Sequence, residues 1–374
     1  MEEMSVTHDV DVLAPRPYTN WVLSFMSKKW KLISQIPPQF STDRYTVIRP
    51  QFLTFPGKIF YSVTGLLYWM GVKRSKNFSD YDVIHVNWLF PDGYIINRLK
   101  NLYPRTPIVL TIHGSDWYGD AENERINQIK KQTLFRADQI ITVGEKLKQD
   151  IAKKYPELEM KIQSVPNGLN FNEISLKKPR GVAPYKKADS TKLLMVGNYV
   201  DIKGHVILFR ALNNILKNRT YDIELILVGN ALDRKYFEYL KTCLRDLSLE
   251  QITTVFVSIP RQELYQLYER CDLFILPTLR EGFGLSLVEA LAHRKPVIST
   301  QSGGPEQIVN DTNGILVSPS NETELAQAIE TMINNLHEYD ASNIRADAYG
   351  KYSYSTIANL MTELYRKLIR DLRE

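Results

Sequence analysis

Cysteine is scarce in this 374-residue sequence, and so are long apolar runs. The two cysteines, Cys243 and Cys271, have neither the number nor the spacing of a disulfide framework or a metal site. We therefore interpret them as structural thiols in a reducing cytosol. The longest apolar stretch, residues 59–72, is interrupted by polar residues and a glycine and is too short for a membrane span. The sequence starts with Met1-Glu2-Glu3, which is acidic and lacks the features of a signal peptide. These shortages predict a cytoplasmic protein.

Metal-ligand clusters and phosphate-binding loops are missing from the sequence as well. No Cys and His residues have metal-binding spacing, and the one Asp-x-Asp match, Asp9-Val10-Asp11, lies in a strand-like run. Alternation in that run places both carboxylates on one solvated face. There is no P-loop and no serine-hydrolase elbow. The sequence therefore predicts a site without a bound metal ion and without a cofactor.

Charge is unevenly distributed between the two halves of the chain. The total is 47 Lys and Arg against 42 Asp and Glu, and the excess lies in the first 180 residues. A basic half favours an anionic partner such as a lipid headgroup, a phosphorylated acceptor or nucleic acid, although a solvated surface has the same composition. Residues 21–31 and 52–76 mix aromatic, aliphatic and basic side chains. Such segments suit the inner face of an anionic membrane, or else a core helix with a basic edge.

Short β-rich runs alternate with helical patterns along the whole chain, which predicts parallel sheets covered by helices. The strand candidates are residues 9–13, 45–48, 83–87, 108–112, 139–143, 162–165, 192–196, 223–228, 254–257, 272–276, 297–300 and 315–317. The helix candidates are residues 93–102, 146–154, 205–217, 232–247, 261–270, 285–293, 322–336 and 355–372. We expect two tandem Rossmann-like, doubly wound α/β domains with a ligand cleft between them.

Composition sets the expected domain boundaries. Residues 1–175 form the first domain, and the Pro-, Gly- and Lys-containing residues 176–190 form a linker. Residues 191–350 form the second domain, and residues 351–374 form a terminal helix.

The segment 277–306 carries the most specific pattern in the sequence. Glu281 and Glu289 flank Gly282-Phe283-Gly284, between a buried strand and a helix that begins near Leu285. A helix N-terminus binds phosphate through its free N–H groups, and glycine lets the backbone approach the ligand closely. Because carboxylates repel an anion but accept hydrogen bonds from hydroxyls, two of them beside a phosphate site predict a nucleotide-sugar ligand.

Other candidates also follow predicted strands. Lys203, beside Gly204, suits a diphosphate, and a plain surface lysine is an equally good interpretation. His113 lies at a strand end beside glycine, where it meets a ligand or bonds to the backbone. For Glu306 we weigh a sugar contact equally with helix capping. Core packing is the favoured interpretation for His85 and capping is the favoured interpretation for Asp92, while Pro166-Asn167-Gly168 is typical of a structural turn.

Together these segments resemble the family 4 glycosyltransferases, which are retaining enzymes of the GT-B fold. The match runs in order along nearly the whole chain and comprises His113-Gly114-Ser115-Asp116, Pro166-Asn167-Gly168, Val196-Gly197, Lys203-Gly204, the Glu281–Glu289 pair, Pro296-Val297, Gly303-Gly304-Pro305-Glu306 and Asn313-Gly314. The resemblance implies transfer of a hexose or related sugar from a nucleotide diphosphate to a polysaccharide or glycolipid acceptor. It also implies metal independence, no nucleic-acid partner and a terminal helix that crosses back to the first domain.

The resemblance also implies roles for single residues. Lys203 would neutralise the diphosphate, Glu281 would contact the donor sugar, and His113 would lie beside that sugar from the first domain. Glu289 would bind the ribose hydroxyls. The remaining donor-binding positions that it implies are Gly197, Asn198, Gly282, Phe283, Gly284 and Leu285.

Two departures from the family pattern stand out. Asn198 replaces the arginine that many relatives carry after the strand glycine, so Lys203 is the one evident cation of the pair. The family also begins with a strand, a glycine-rich loop and a helix before the segment that resembles residues 8–18. Since seven residues precede His8, we expect that first strand and loop to be missing. An inactive or regulatory nucleotide-sugar binder and a nucleotide-sugar epimerase of the same fold therefore remain alternatives.

Overall fold

The computed structural model describes residues 2–18, 28–54, 63–119, 123–174, 190–218 and 221–371. The chain divides into two compact units. The first comprises Met1–Val143, Leu147–Val165 and Ala358–Glu374, and the second comprises Gly144–Lys146 and Pro166–Ile357. Of the expected linker, residues 176–189 lie outside the described part, as do residues 21–27 and 55–62 of the two predicted membrane-facing segments.

The second unit is built on a parallel sheet of six described strands. Their spatial order is β12-β11-β10-β13-β14-β15, so the order reverses between β10 and β13. Leu193 of β10 pairs with Leu273 of β13, which fixes the register at this reversal. The bounds are β10 Thr191–Val196, β11 Ile223–Gly229, β12 Thr253–Val257, β13 Leu273–Leu276, β14 Val297–Thr300 and β15 Gly314–Val317.

The strands at the centre of this sheet are apolar because helices cover both of its faces. Every residue of β13 and of β14 is buried. On one face, Leu212, Leu227 and Ile329 belong to a single apolar core. The described helices are α7 His205–Asn218, α8 Arg234–Asp246, α9 Arg261–Arg270, α10 Leu285–Ala292, α11 Glu322–Asn335, α12 Ala341–Tyr352 and α13 Tyr354–Asp371. Asp233, Asn321 and Asp340 cap α8, α11 and α12 through side-chain oxygens.

The first unit contains a parallel sheet of four described strands in the order β6-β7-β8-β9. The strand β7 is buried at all of its positions and lies inside this sheet. The strand bounds are β6 Ile84–Asn87, β7 Ile108–Ile112, β8 Gln139–Thr142 and β9 Ile162–Ser164. The described helices of the unit are α1 Lys28–Ser34, α2 Thr64–Val72, α3 Tyr94–Leu102, α4 Ser115–Tyr118, α5 Glu124–Arg136 and α6 Glu145–Lys154, of which residues 147–154 belong to this unit.

The remaining described strands of the first unit form two separate small sheets. The sequence had predicted that the strands of this unit belong to a parallel sheet. The strand β1 pairs in parallel with β4, β3 pairs antiparallel with β4, and β2 pairs in parallel with β5. A cavity of about 190 Å³ is lined by both β1 and β6, which do not pair with each other. The bounds are β1 Asp11–Leu13, β2 Arg16–Pro17, β3 Gln39–Ser41, β4 Thr46–Ile48 and β5 Gln51–Phe52.

The predicted strands are all present, and their ends differ from prediction by no more than two residues. The helix α9 has the predicted bounds, whereas α4, α5, α12 and the strands β2, β3 and β5 were not predicted. The helices α1 and α2 overlap the two segments for which a core helix was one of the two interpretations. The terminal helix α13 begins in the second unit and ends in the first, where the Tyr365 hydroxyl lies 2.5 Å from Nδ1 of His85. No helix in the described ranges is both long enough and apolar enough to cross a membrane.

Candidate active site

The candidate site of the second unit lies where the strand order reverses. Lys203 follows β10 through a short turn, and Glu281 follows β13. Because β10 and β13 are parallel neighbours, their carboxyl ends bring these two residues to the same edge of the sheet. In doubly wound folds this reversal is the usual place for a ligand.

Glycine fixes the turn that carries Lys203. Gly204 has a φ of +74°, and a Cβ there would lie 1.9 Å from the carbonyl oxygen of Pro277, at the end of β13. The Thr278 hydroxyl donates to the carbonyl of Ile202 at 2.9 Å, and the Leu279 N–H donates to the same carbonyl at 2.8 Å. The loops after β10 and β13 are therefore joined by backbone contact, which leaves no room for a side chain at position 204.

Lys203 and Glu281 form an ion pair. The ammonium lies 2.5 Å from Oε2 of Glu281, and both side chains are largely buried. The Glu281 carboxylate therefore neutralises the Lys203 ammonium, for which the sequence predicted a diphosphate partner. A phosphate group placed beside Lys203 would compete with Glu281 for the ammonium and release the carboxylate for a hydroxyl partner.

The loop before α10 presents its backbone rather than its side chains. Gly284 has a φ of +102°, which glycine adopts without strain. Phe283 is buried and packs edge-on against Tyr352. Within the described chain, the N–H groups of Phe283, Gly284 and Leu285 have no hydrogen-bond partner. Unpaired N–H groups and a helix dipole are the features of helix starts that bind anions, and this helix start is close in sequence to Glu281.

Glycines after β14 hold this loop in place. The N–H of Gly304 donates to the carbonyl of Glu281 at 2.8 Å, and a Cβ on Gly304 would lie 2.3 Å from the carbonyl oxygen of Phe283. The carboxylate of Glu306 accepts the N–H of Gly303, with the shorter distance 2.8 Å. Glu306 therefore accepts a backbone N–H from its own turn. This contact resembles helix capping, one of the two roles that the sequence suggested for Glu306.

Glu289 lies one turn into α10 and is almost fully buried. Its Oε2 accepts the Tyr268 hydroxyl at 3.0 Å, and its Oε1 lies 3.8 Å from Nη2 of Arg261. Burial raises the pKa of Glu289, while Tyr268 and then Arg261 act to lower it. Sequence reasoning missed Tyr268 and Arg261. Their spacing of seven residues along α9 is the signal that would have placed them on one helix face.

Gly197 and Asn198 lie at the end of β10, as predicted from the sequence. A Cβ on Gly197 would lie 3.6 Å from the side chain of Lys203. The side-chain oxygen of Asn198 accepts the amide of Asn230 at 3.2 Å. The structure therefore groups Lys203, Glu281, Gly197 and Asn198 with the 282–285 loop and Glu289 in one unit.

His113 belongs to the first unit. Its ring stacks on that of Trp88 with a centroid distance of 5.6 Å, and its backbone N–H donates to the buried carboxylate of Asp116 at 2.9 Å. Burial lowers the pKa of His113, which favours the uncharged imidazole. Asp116 also accepts the N–H of Leu89 at 2.8 Å, so this carboxylate organises the loop. Whether His113 meets a ligand stays a prediction.

Two other residues of the first unit have structural partners. The His85 ring lies between Tyr365 and Thr111, and its Nε2 is 2.7 Å from the Thr111 hydroxyl. Burial lowers the pKa of His85 to about 4. The core interpretation of His85 is consistent with these contacts. Capping by Asp92 is wrong, because its carboxylate accepts the Tyr68 hydroxyl at 2.5 Å and α3 has no side-chain cap.

No group of three His, Cys, Asp or Glu residues in the described ranges has the arrangement of a metal site. Independence from metal therefore stays a prediction from the sequence.

Comparison with known proteins gives the family. Residues 6–173 match the family model described as Glycosyltransferase Family 4, and residues 182–351 match Glycosyl transferases group 1. An uncharacterized glycosyltransferase of Methanocaldococcus jannaschii is 27% identical over 306 residues, which is 76% of this chain and 75% of that protein.

Solved structures show the same fold. Sucrose-phosphate synthase from Thermosynechococcus elongatus matches with a TM-score of 0.79 and 21% identity, over 98% of this chain and 90% of that one. Anabaena HepE in complex with UDP-glucose matches with a TM-score of 0.70 and 20% identity, over 96% and 99% of the chains. The two family models together span nearly the whole sequence, and the chain therefore belongs to the family 4 glycosyltransferases of the GT-B fold.

Proposed function

We propose that this glycosyltransferase is a retaining enzyme that moves a sugar from a nucleoside-diphosphate sugar to a polysaccharide or glycolipid acceptor without a bound metal ion. One observation carries the proposal. Lys203, Glu281 and the start of α10, whose N–H groups have no partner among the described residues, lie close to the point where β10 meets β13. A cation and a helix N-terminus suit a diphosphate, and a carboxylate beside them suits a sugar hydroxyl.

The same groups account for the chemistry of the leaving group. When the bond between the sugar and the diphosphate breaks, negative charge grows on the diphosphate oxygen. The ammonium of Lys203 and the N–H groups of the 283–285 loop are fixed donors for that charge, and such donors act most strongly in the transition state. Their combined positive potential takes the place that a divalent cation has in metal-dependent transferases. The retaining outcome is carried by family membership alone.

The donor proposal draws support from a structural relative. Anabaena HepE has the same fold and its structure contains UDP-glucose. UDP-sugars are therefore the first donors to test. The basic composition of the first half supports an acceptor that is anionic or held at an anionic membrane surface.

A ligand screen followed by product analysis tests the proposal. A nucleotide-sugar that binds the native state at a hundredfold excess over its Kd stabilises it by about 2.7 kcal/mol, which a thermal-shift panel detects. We expect one or more nucleoside-diphosphate sugars to raise the Tm while free monosaccharides do not. The stabilising donor is then incubated with oligosaccharide and lipid-linked acceptors in excess chelator, and the anomeric configuration of the product is determined by NMR.

The outcomes separate the alternatives. Transfer in chelator with retained configuration supports the proposal. Interconversion of the donor without acceptor would identify an epimerase. Binding without turnover of any donor, with every acceptor, would identify a nucleotide-sugar binder. Activity that disappears in chelator and returns with a divalent ion would overturn metal independence only.

A further inference from the structure

Glu289 carries a buried carboxylate with little exposure to solvent. Only 12% of its side-chain surface is exposed, although it lies one turn from the start of a helix that faces the candidate diphosphate site. A carboxylate so deeply buried is costly unless hydrogen bonds and charge compensate it. The groups that surround it therefore decide whether it can serve as an acceptor for ligand hydroxyls.

Two side chains from one face of α9 supply that compensation. Arg261 and Tyr268 are seven residues apart, so they lie two turns apart on the same side of the helix. The Tyr268 hydroxyl donates to Oε2 of Glu289 at 3.0 Å, and the guanidinium of Arg261 lies 3.8 Å from Oε1. Each carboxylate oxygen thus has its own partner on α9.

Both partners are themselves held in place. Tyr268 is fully buried and its ring stacks on His293 at 5.1 Å with an interplanar angle of 17°. Its hydroxyl also lies 3.3 Å from the carbonyl of Ser286, in the first turn of α10. Arg261 bonds to the Tyr265 hydroxyl and lies 3.8 Å from Glu173. Packing in the core therefore fixes the position of Tyr268. Arg261 is half-exposed, and its contacts with Tyr265 and Glu173 fix its position.

Few charged and titratable groups of the described chain surround Glu289. Arg261, Tyr265 and Tyr268 face it from α9, and Glu173 contacts Arg261 from a neighbouring turn. Behind α10, the His293 ring is near Arg345 of α12, and burial lowers its pKa to about 4, so it is uncharged at neutral pH. Among the described residues, Arg261 is thus the cation that lies beside the carboxylate, and the Tyr268 hydroxyl donates directly to its Oε2.

We propose that Tyr268 and Arg261 are positioning residues that hold the Glu289 carboxylate as an acceptor for the two hydroxyls of a nucleoside ribose. The proposal rests on the nucleoside-diphosphate donor proposed above. A vicinal diol donates two hydrogen bonds, which an ionised carboxylate accepts and a protonated one does not accept in full. The α9 pair therefore sets the affinity for the nucleoside part of the donor, apart from the diphosphate contacts of Lys203.

Burial and the α9 pair act on Glu289 in opposite directions, which gives a pH signature. Burial raises the pKa of the carboxyl, and the Tyr268 hydrogen bond and Arg261 lower it. Removing either partner raises the pKa further, so the carboxyl takes up a proton at a higher pH. Nucleotide binding by the variants should then weaken more at about pH 6 than at about pH 8, whereas loss of packing alone would weaken it equally at both.

The experiment measures binding of UDP and of 2′,3′-dideoxyuridine diphosphate by calorimetry at about pH 6 and about pH 8. The proteins are wild type, Tyr268→Phe and Arg261→Gln. We expect Tyr268→Phe to weaken UDP binding roughly tenfold, the size of a lost hydrogen bond to a charged group, and more at the lower pH. Binding of the dideoxy nucleotide should change little, because that probe lacks the diol.

Tyr199→Phe is the matched control. Tyr199 is also fully buried, and its hydroxyl donates to the carbonyl of Phe256 at 2.7 Å, away from Glu289. It should bind both nucleotides as wild type does. Arg261→Gln changes a half-exposed residue and keeps the proposal testable if Tyr268→Phe does not fold.

The outcomes distinguish this inference from the donor proposal. Equal losses of UDP and dideoxy nucleotide, or losses independent of pH, would mean that α9 acts only through packing and would overturn the inference. If wild type binds no nucleoside diphosphate, the donor proposal fails and the inference fails with it. If wild type binds UDP while both variants bind it equally well, only the inference fails.

Discussion

The two units treat their candidate functional residues differently. Among the described residues of the second unit, Lys203 and Glu281 are ion-paired only with each other, and the N–H groups of the 283–285 loop have no partner. In the first unit, the comparable polar groups are bonded internally. Asp116 accepts two backbone N–H groups, and His85 lies between Tyr365 and Thr111. In the described chain, the second unit therefore has unpaired backbone donors beside an ion pair, which are groups suited to an anion, whereas the polar groups around His113 in the first unit stabilise the fold.

The sharpest test of this comparison removes one candidate from each unit. Lys203→Ala should lower kcat roughly a hundredfold or more, because it removes a fixed charge from the leaving diphosphate. His113→Ala should have a smaller effect, since burial lowers the pKa of the His113 ring and the ring is already stacked on Trp88. Steady-state kinetics with a saturating donor measure both, and an unchanged Tm shows that the fold is intact.

Lys241→Ala is the control, because this half-exposed helix lysine contacts Glu238 and the Phe237 ring on its own helix, away from the candidate site. If His113→Ala proves the more damaging change, the assignment of the chemistry to the second unit is wrong.

A second test concerns the glycine that joins the two loops of the site. Gly204→Ala adds a Cβ that would lie 1.9 Å from the Pro277 carbonyl oxygen, at a φ of +74°. We expect a loss of about 2–4 kcal/mol in the free energy of unfolding, the range of strained backbone and overpacking effects. Urea denaturation measures it.

Gly350→Ala serves as the matched control for that glycine. It lies within α12 and has nothing within 4 Å of an added Cβ. Alanine there should stabilise the protein by roughly 0.5–1 kcal/mol through helix propensity. A Gly204→Ala protein as stable as wild type would show that the loops can separate.

The helices and strands could be predicted from the sequence, but their tertiary arrangement could not. The apolar runs of β7 and β14 and the periodicity of α9 have strong local signals, so their bounds were predicted correctly. That β10 lies beside β13 is a tertiary fact, since 80 residues separate the paired Leu193 and Leu273. The Lys203–Glu281 ion pair depends on this adjacency. The Tyr268 contact with Glu289 depends on helix packing, which single-sequence patterns do not encode.

One buried histidine in each unit allows the two units to be compared by the pH dependence of their stability. His205, in the second unit, is fully buried with neither ring nitrogen bonded in the described chain, and burial lowers its pKa from 6.5 to about 3. The neutral ring is the form that the fold accepts. Its contribution to stability is therefore complete above about pH 6.5 and is lost as the pH falls from 6.5 towards 3.

Replacing His205 with Phe should flatten the dependence of the free energy of unfolding on pH, by about 2 kcal/mol or less between neutral pH and about pH 4.5. Urea denaturation at several pH values measures it. His85→Phe in the first unit should instead destabilise at every pH, because that ring has hydrogen bonds to lose. Equal curves for His205→Phe and wild type would show that another group governs the acid sensitivity.

The smallest expected effects separate the two glutamates of the second unit. We propose Glu289 as the acceptor for the ribose hydroxyls, so Glu289→Gln should weaken binding of the bare nucleoside diphosphate, by roughly tenfold. Glu281 pairs with Lys203 next to the loop that would meet the sugar, so Glu281→Gln should leave binding of the bare nucleotide nearly unchanged. It should lower kcat and kcat/KM together, as expected when an interaction is made mainly in the transition state. Calorimetry with UDP and steady-state kinetics on both variants give the comparison. Loss of UDP binding by Glu281→Gln, with retention by Glu289→Gln, would reverse the two assignments.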